Sequence, residues 1–166
     1  MIYIASSVMN IPHHALEIYV SGCTRKCQGC QNSYIQKFGY GTPWIEWNKK
    51  NSKKYYNSLV SKIWILGGDL LCQEYEDIVY LVNDIKKSTR KELWLWTGET
   101  LENIKKSKYL LDIALMFDYI KSGPYDINNK EKVTYIIEDR ELEIAGSNQS
   151  IHRVENKEFI KLQTKI

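Results

Sequence analysis

Three cysteines fall within eight residues, in the string Cys23-Thr24-Arg25-Lys26-Cys27-Gln28-Gly29-Cys30. Thiolates are soft ligands that suit an iron–sulfur cluster, zinc or Cu(I). A four-iron cubane needs four ligands, so three cysteines leave one iron open. An open coordination position separates a reactive metal site from a closed structural one. Gly29 leaves little bulk beside the third ligand, and Arg25 and Lys26 put positive charge near an anionic cluster, which favours thiolate. Two other readings use the same residues. Cys27-Gln28-Gly29-Cys30 alone is a redox dithiol, which leaves Cys23 surplus. Structural zinc is the other, with His13 or His14 as fourth ligand, although zinc spacings usually come as separated pairs. The fourth cysteine, Cys72, reads as a buried or partly buried thiol and not a ligand.

The chain around them has 166 residues, enough for one domain that buries roughly 70% of its unfolded surface. Apolar residues make up 43% and charged residues 26%, which argues against disorder as the main state. With 23 basic and 20 acidic residues the net charge of +3 is too balanced to indicate nucleic acid. The scattered Lys pairs (Lys49-Lys50, Lys53-Lys54, Lys86-Lys87, Lys105-Lys106) read as solvated helix faces. No apolar run approaches the roughly 20 residues of a membrane span, and Met1 to Val8 lacks the pattern of a secretory signal. Both observations point to no membrane partner and to the cytoplasm. Crowded cysteines there more often bind metal or do redox chemistry than form structural disulfides. No Ser-His-Asp or Cys-His catalytic set is apparent.

The elements that must position the cysteines alternate. Leu16 to Val20 reads as a first strand running into Ser21-Gly22-Cys23. Asn48 to Lys54 reads as a loop, with Ser52 capping a helix that carries Tyr55, Tyr56, Leu59 and Val60. Ile63 to Leu66 is an apolar run typical of a strand covered on both faces, and stops at Gly67-Gly68. Tyr75, Ile78, Val79, Val82 and Ile85 recur at helical spacing, with acids at the start and lysines at the end of the segment. Leu93 to Trp96 is a third strand, stopping at Thr97-Gly98, and a short helix follows around Leu101 to Lys106. Ala114 to Ile120 reads as a fourth strand, stopping at Gly123-Pro124. Asn128 to Lys132 reads as a loop. Val133 to Ile137 and Leu142 to Ala145 read as a hairpin or edge strands. Such alternation implies a mainly parallel sheet, whose sites lie beyond the carboxyl ends of its strands. The cysteine string, Gly67-Gly68-Asp69, Thr97-Gly98-Glu99 and Gly123-Pro124 therefore share one rim.

On these residues the chain resembles a family. Cys-x3-Cys-x2-Cys directly after a first strand resembles the signature of the radical S-adenosylmethionine (SAM) enzymes. The wider string Ser21 to Asn32 is most similar to the branch that activates anaerobic (class III) ribonucleotide reductase, whose usual pattern is Gly-Cys-x-His-x-Cys-x-Gly-Cys-x-Asn. Gly67-Gly68-Asp69, Leu95-Trp96-Thr97-Gly98, Asp118 to Tyr125 and Gly146 to Ser150 resemble the branch's later segments in the same order. The matches run from residue 21 to about 150. Arg25 stands where His is usual, Gln31 where His is common and Leu70 where Pro is usual. The Gly146-Ser147-Asn148-Gln149 string is one residue short of the common form.

The resemblance implies a minimal α/β fold, a partial and mainly parallel (β/α) barrel of radical SAM type. It implies one domain over residues 1–166, with a core of about 15–150 and a C-terminal tail of 151–166. It implies a [4Fe-4S] cluster on Cys23, Cys27 and Cys30, with SAM on the fourth iron. Gly67 and Gly68 would let backbone approach the SAM methionine group, and Asp69 would hold its amino group or order the turn. Gly29, Cys30 and Gln31 would line the cofactor, and Thr97, Gly98 and Asp118 would stand near ribose or adenine. Reduction by a one-electron donor protein would give methionine and a 5′-deoxyadenosyl radical. In the family that radical takes hydrogen from a glycine of the partner, here a glycyl-radical protein and foremost anaerobic ribonucleotide reductase. Two other functions stay open: activation of another glycyl-radical enzyme or radical modification of a different substrate, and a non-catalytic metal-binding interaction protein on a related scaffold.

Overall fold

A computed structural model describes residues 1–165 and places most of the chain around one eight-stranded sheet. Its strands are β1 (Tyr3–Asn10), β2 (Ala15–Val20), β3 (Thr42–Pro43), β4 (Lys62–Gly67), β5 (Glu92–Trp96) and β6 (Tyr119–Ser122), joined later by β9 (Ser150–Glu155) and β10 (Glu158–Lys161). Between β6 and β9, β7 (Val133–Ile137) and β8 (Arg140–Ile144) pair with each other as a separate hairpin. The spatial order is β10-β9-β6-β5-β4-β2-β1-β3. The centre, β2-β4-β5-β6, is parallel, as strand–helix alternation predicts. The flanks are antiparallel, so the sheet is mixed. No pairing joins β3 to β10 among the described residues, so the sheet is open and the expected barrel is not seen as such.

The two faces of the sheet are covered differently. Ile63 and Ile65 of β4 and Leu93 and Leu95 of β5 face a core shared with α1 (Trp44–Asn51), α2 (Tyr75–Ser88), α3 (Leu101–Lys106) and α4 (Lys108–Ala114). The alternate positions Trp64 and Trp94 face the hairpin, through Tyr135, Ile137, Leu142 and Ile144. Strands covered on both faces need apolar residues at every position, which explains the continuous run Ile63 to Leu66. Tyr75, Ile78, Val82 and Ile85 lie in α2 or its packing surface, and no described helix is long and apolar enough to cross a membrane.

Four expectations are corrected. The helix expected from Ser52 lies earlier, at Trp44–Asn51, because Trp44 and Trp47 bury one face of it. The expected loop Asn48 to Lys54 is thus helical, continuing as a 3-10 turn over Ser52–Tyr56, and Leu59 is exposed beyond it. The strand expected from Ala114 begins only at Tyr119. Ser107 caps the preceding helix through a hydrogen bond from Leu110 N, and Ile113 and Ala114 face the core. Strand β1, unforeseen in the sequence, pairs antiparallel with β2. Residues 151–161 are not a tail: β9 pairs with β6, and Ile151 is fully buried.

Candidate functional site

Beyond the carboxyl ends of the parallel strands lies a cavity of about 480 Å³. Cys23, Cys27, Cys30 and Gln31 line it from the loop after β2, Gly67, Gly68 and Asp69 from the turn after β4, and Thr97 and Gly98 from the turn after β5. The convergence on one rim expected from strand order is therefore present. Gly29 stands just outside the lining, against Tyr125 and Ile127. The hairpin closes one side with Glu143, Ile144 and the following Ala145.

The turns are stitched together by backbone. Gly68 N donates to Val20 O at 2.8 Å, and Asp69 N to Gly22 O at 3.0 Å. A methyl group on Gly68 would stand 2.4 Å from Gly22 O, a contact that only movement of the cysteine loop can relieve. Overpacking of this kind costs about 1–3 kcal/mol. Gly68→Ala is expected to lower the melting temperature by roughly 3–10 °C in a thermal unfolding scan.

Asp69 is the hub of the rim. It is 1% exposed, and its carboxylate accepts from Arg25 Nε at 2.8 Å, Thr97 Oγ1 at 2.9 Å, Gly98 N at 2.9 Å and Leu71 N at 3.0 Å. Arg25 reaches onward, its Nη2 donating to Glu99 Oε2 at 2.7 Å. Burial works against the Arg25 charge, but Glu99 and Asp69 outweigh it and hold the guanidinium charged above its usual range. Burial would likewise lift Glu99, yet hydrogen bonds from Arg25, Asn103 and Thr100 N keep its carboxyl below the usual value. One side chain of the cysteine loop thus clamps it to the exits of β4 and β5.

The cysteines are half-buried and reduced. Cys23 N donates to Gln36 O at 2.9 Å and Cys30 N to Cys27 O at 3.2 Å, which gives the loop its own turns. Cys72, on the short turn Leu70–Cys72, stands beside this loop, with its sulfur 3.3 Å from Thr24 Oγ1. Cys72 and Cys23 titrate as a pair. A hydrogen bond from Cys23, aided by Thr24, pulls Cys72 down to about 6 against its burial, and Cys23 is pushed up in return. The sequence reading of Cys72 as a half-buried thiol missed this proximity, because nothing in sequence spacing pairs residues 23 and 72.

Zinc with His13 or His14 is not supported by the geometry. Both histidines precede β2 while the cysteines follow it, and six strand residues span roughly 20 Å. His13 packs against Trp64, and His14 Nε2 contacts Arg140. Asp118 also lies at that amino end. Its carboxylate accepts from Leu93 N at 2.8 Å, and it does not line the cavity. Its expected place beside a ribose or adenine is corrected to a role in strand register.

The cavity lining also holds residues that the sequence reading did not assign to the site, among them Trp64, Trp96, Lys121 and Gln149. The signal for Lys121 was a lone cation inside the strand Tyr119-Ile120-Lys121-Ser122, on the face that β-alternation gives Tyr119. Burial pushes its amine down to about 8, only partly offset by Asp69 and Cys27. A lysine whose folded value is depressed carries an unfavourable buried charge below about pH 8, relieved as pH rises toward 10.5. Lys121→Met is therefore expected to stabilise the cluster-free chain at pH 7 by on the order of 2 kcal/mol. Denaturation at several pH values should show that gain shrinking between pH 8 and 10.5.

Three thiols on one loop, an open space beside them and a half-buried cation together fit a group that takes three thiolates and is itself negative. Among the described residues no three of His, Cys, Asp and Glu stand at single-ion spacing. A cubane places its thiolates on separate irons, so the cysteines need not meet at one point.

A family profile described as "4Fe-4S single cluster domain" matches residues 14–152. The chain is 29% identical over 134 residues to the anaerobic ribonucleoside-triphosphate reductase-activating protein of Enterobacteria phage T4, covering 72% of this chain and 76% of that one. The Haemophilus influenzae protein of the same name is 29% identical over 157 residues, covering 91% and 95%. The Escherichia coli K12 protein is 29% identical over 111 residues, covering 64% and 72%. No solved structure matches the chain significantly.

Proposed function

The chain belongs to the family of 4Fe-4S single cluster domains, and from that premise we propose that it is a radical SAM activase of an anaerobic ribonucleotide reductase. The observation that carries this reading is the shared rim: the cysteine loop, Gly67-Gly68 and Thr97-Gly98 surround one cavity. The names of its relatives support the partner. In this reading the four parallel strands are the core of a minimal partial barrel of radical SAM type.

Cys23, Cys27 and Cys30 would hold the cluster, and the space beside them would admit SAM. When bound, the pair supplies reductive cleavage of a sulfonium bond, fed by a one-electron donor protein, and so a means of taking hydrogen from a protein glycine. The protein's own part is positioning. Gly67 and Gly68 bring backbone N–H and C=O groups to the rim with no side chain between. Lys121, half-buried, gives a fixed positive charge to an anionic guest, whether thiolate-bound iron or a carboxylate. Arg25 and Asp69 hold the three turns in one arrangement before anything binds. No side chain here needs to act as acid or base, since the cofactor carries the hard chemistry.

Anaerobic reconstitution with iron, sulfide, SAM and a strong reductant tests the reading. The expected product is 5′-deoxyadenosine by mass spectrometry, and a glycyl radical by electron paramagnetic resonance when an anaerobic ribonucleotide reductase is added. Nucleoside formation with a radical only on another glycyl-radical enzyme would reassign the partner. Iron loading with no nucleoside would return the chain to a non-catalytic metal-binding role.

A further inference from the structure

Cys72 has no part in the chemistry proposed above, yet the fold sets it against the cysteine loop from several directions at once. Before Cys23, Gly22 O accepts from Asp69 N at 3.0 Å and from Gln73 Nε2 at 3.2 Å. The same Gln73 Nε2 reaches Ser21 O at 3.0 Å. After Cys23, Thr24 Oγ1 stands 3.3 Å from the Cys72 sulfur. Residues on both sides of Cys23 are therefore held against residues 69–73, and a hydrogen bond joins the Cys23 and Cys72 thiols. A disulfide needs neighbouring backbones and sulfurs that face each other. Here the fold supplies both before any bond forms. Each thiol is half-buried, so a small reagent can reach it.

The cavity gives this contact a consequence. Cys23, Cys27 and Cys30 line it, and Cys72 does not. The Cys23 sulfur thus has two uses: toward the cavity as an iron ligand, or toward Cys72 as one half of a disulfide. Iron takes the thiolate, and a sulfur bonded to another sulfur has none to give. The two states exclude one another. The competing pair is Cys27 and Cys30, where Cys30 N already closes a turn onto Cys27 O at 3.2 Å.

We propose that Cys23 and Cys72 form a reversible disulfide in the cluster-free chain, which withholds one iron ligand until a dithiol restores it. The oxidant is a low-molecular-weight disulfide such as oxidised glutathione. The Cys72 sulfur attacks it, one glutathione leaves as thiol, and a mixed disulfide remains on Cys72. Cys23 then attacks the Cys72 sulfur and releases the second glutathione thiol. The two cysteines lose two electrons, and their two protons leave on the two thiols. A sulfur held in this way is also kept from sulfinic and sulfonic acid, which thiols do not reverse. The proposal rests on the reading of Cys23 as a cluster ligand, and it gives the fourth cysteine a task that the cluster does not.

Trypsin sorts the thiols for the test, since it cuts after Arg25, Lys26, Lys37, Lys62 and Lys86. Cys23 falls on the peptide Met1 to Arg25, Cys27 and Cys30 on Cys27 to Lys37, and Cys72 on Ile63 to Lys86. The full cluster-free chain is treated with oxidised glutathione without oxygen, free thiols are alkylated, and the digest is read unreduced by mass spectrometry. The expected product is Met1–Arg25 joined to Ile63–Lys86, and released by dithiothreitol. Recovery of Cys72 alkylated, with Cys23 joined to Cys27–Lys37 or to glutathione alone, would overturn the proposal. The second arm treats the chain after anaerobic loading with iron and sulfide. There no joined pair is expected, and an equal yield with the cluster intact would overturn the exclusion and the proposal with it. The cross-link is read on the cluster-free chain and nucleoside release on the iron-loaded one, so this inference and the activase reading fail separately.

Discussion

Cys27→Ala is expected to give a folded chain that holds no cluster and releases no 5′-deoxyadenosine. A cubane bound by three protein thiolates has no spare ligand, so loss of one leaves two irons without protein sulfur. The fold has little stake in this thiol. Cys27 is half-buried at the cavity wall and belongs to neither apolar core. Its removal should move the melting temperature by no more than a few degrees. Iron and sulfide analysis after anaerobic reconstitution measures the first effect, and thermal unfolding the second. Cys72→Ala is the matched control. Its sulfur neighbours Thr24 and pairs with Cys23, yet it lies on the turn after β4 and not on the cysteine loop. That variant is expected to load iron and turn over. Should it lose iron as completely as Cys27→Ala, the ligand set assigned here is wrong.

Arg25→Ala is expected to destabilise the chain by about 2–3 kcal/mol and to loosen the rim. The guanidinium bridges a carboxylate that is 1% exposed and another on the next turn, and its removal leaves Asp69 buried without its countercharge. The effect falls below that of a fully enclosed pair because Arg25 keeps 23% of its side-chain surface in solvent. A shift of the denaturant midpoint with unchanged slope would show it. The pH dependence identifies the cause. Glu99 is held below its usual value of 4.5, so its contribution is complete above that value and is lost as pH falls through the depressed one. The gap between wild type and Arg25→Ala should therefore narrow in acid. A gap constant from pH 7 to 3 would mean that the loss is one of packing, since a methyl on Gly98 would already touch Arg25 Cδ at 2.7 Å.

The rim was legible from sequence because strand ends announce themselves. Ile63-Trp64-Ile65-Leu66 stops at two glycines and Leu93 to Trp96 stops at Thr97-Gly98, and parallel order alone brings those ends together. The walls were not legible. Trp64 and Trp96 read as ordinary buried strand residues, and only the structure shows that their indole nitrogens find no partner among the described residues. Asp118 fell inside a motif whose other members reach the rim, but a four-residue strand separates it from Gly123, enough to put it at the opposite end. The fourth strand was drawn from Ala114 instead of Tyr119 because Ala114 to Phe117 is apolar, and a short apolar run does not state its period; those residues end α4 and form the turn after it.

The unequal cover of the sheet has a consequence for access. Four helices shield one side, while over the tryptophans there is little beyond a single hairpin of two five-residue strands. An isolated hairpin is marginal in water, so this roof owes its shape to the ledge beneath it. Its inner face is a full core layer, since Tyr135, Ile137, Leu142 and Ile144 are at most 7% exposed, yet none of its backbone bonds is among those that fasten the sulfur-bearing turn to its neighbours. Opening on that side would therefore cost apolar burial, and not the geometry that holds the sulfurs.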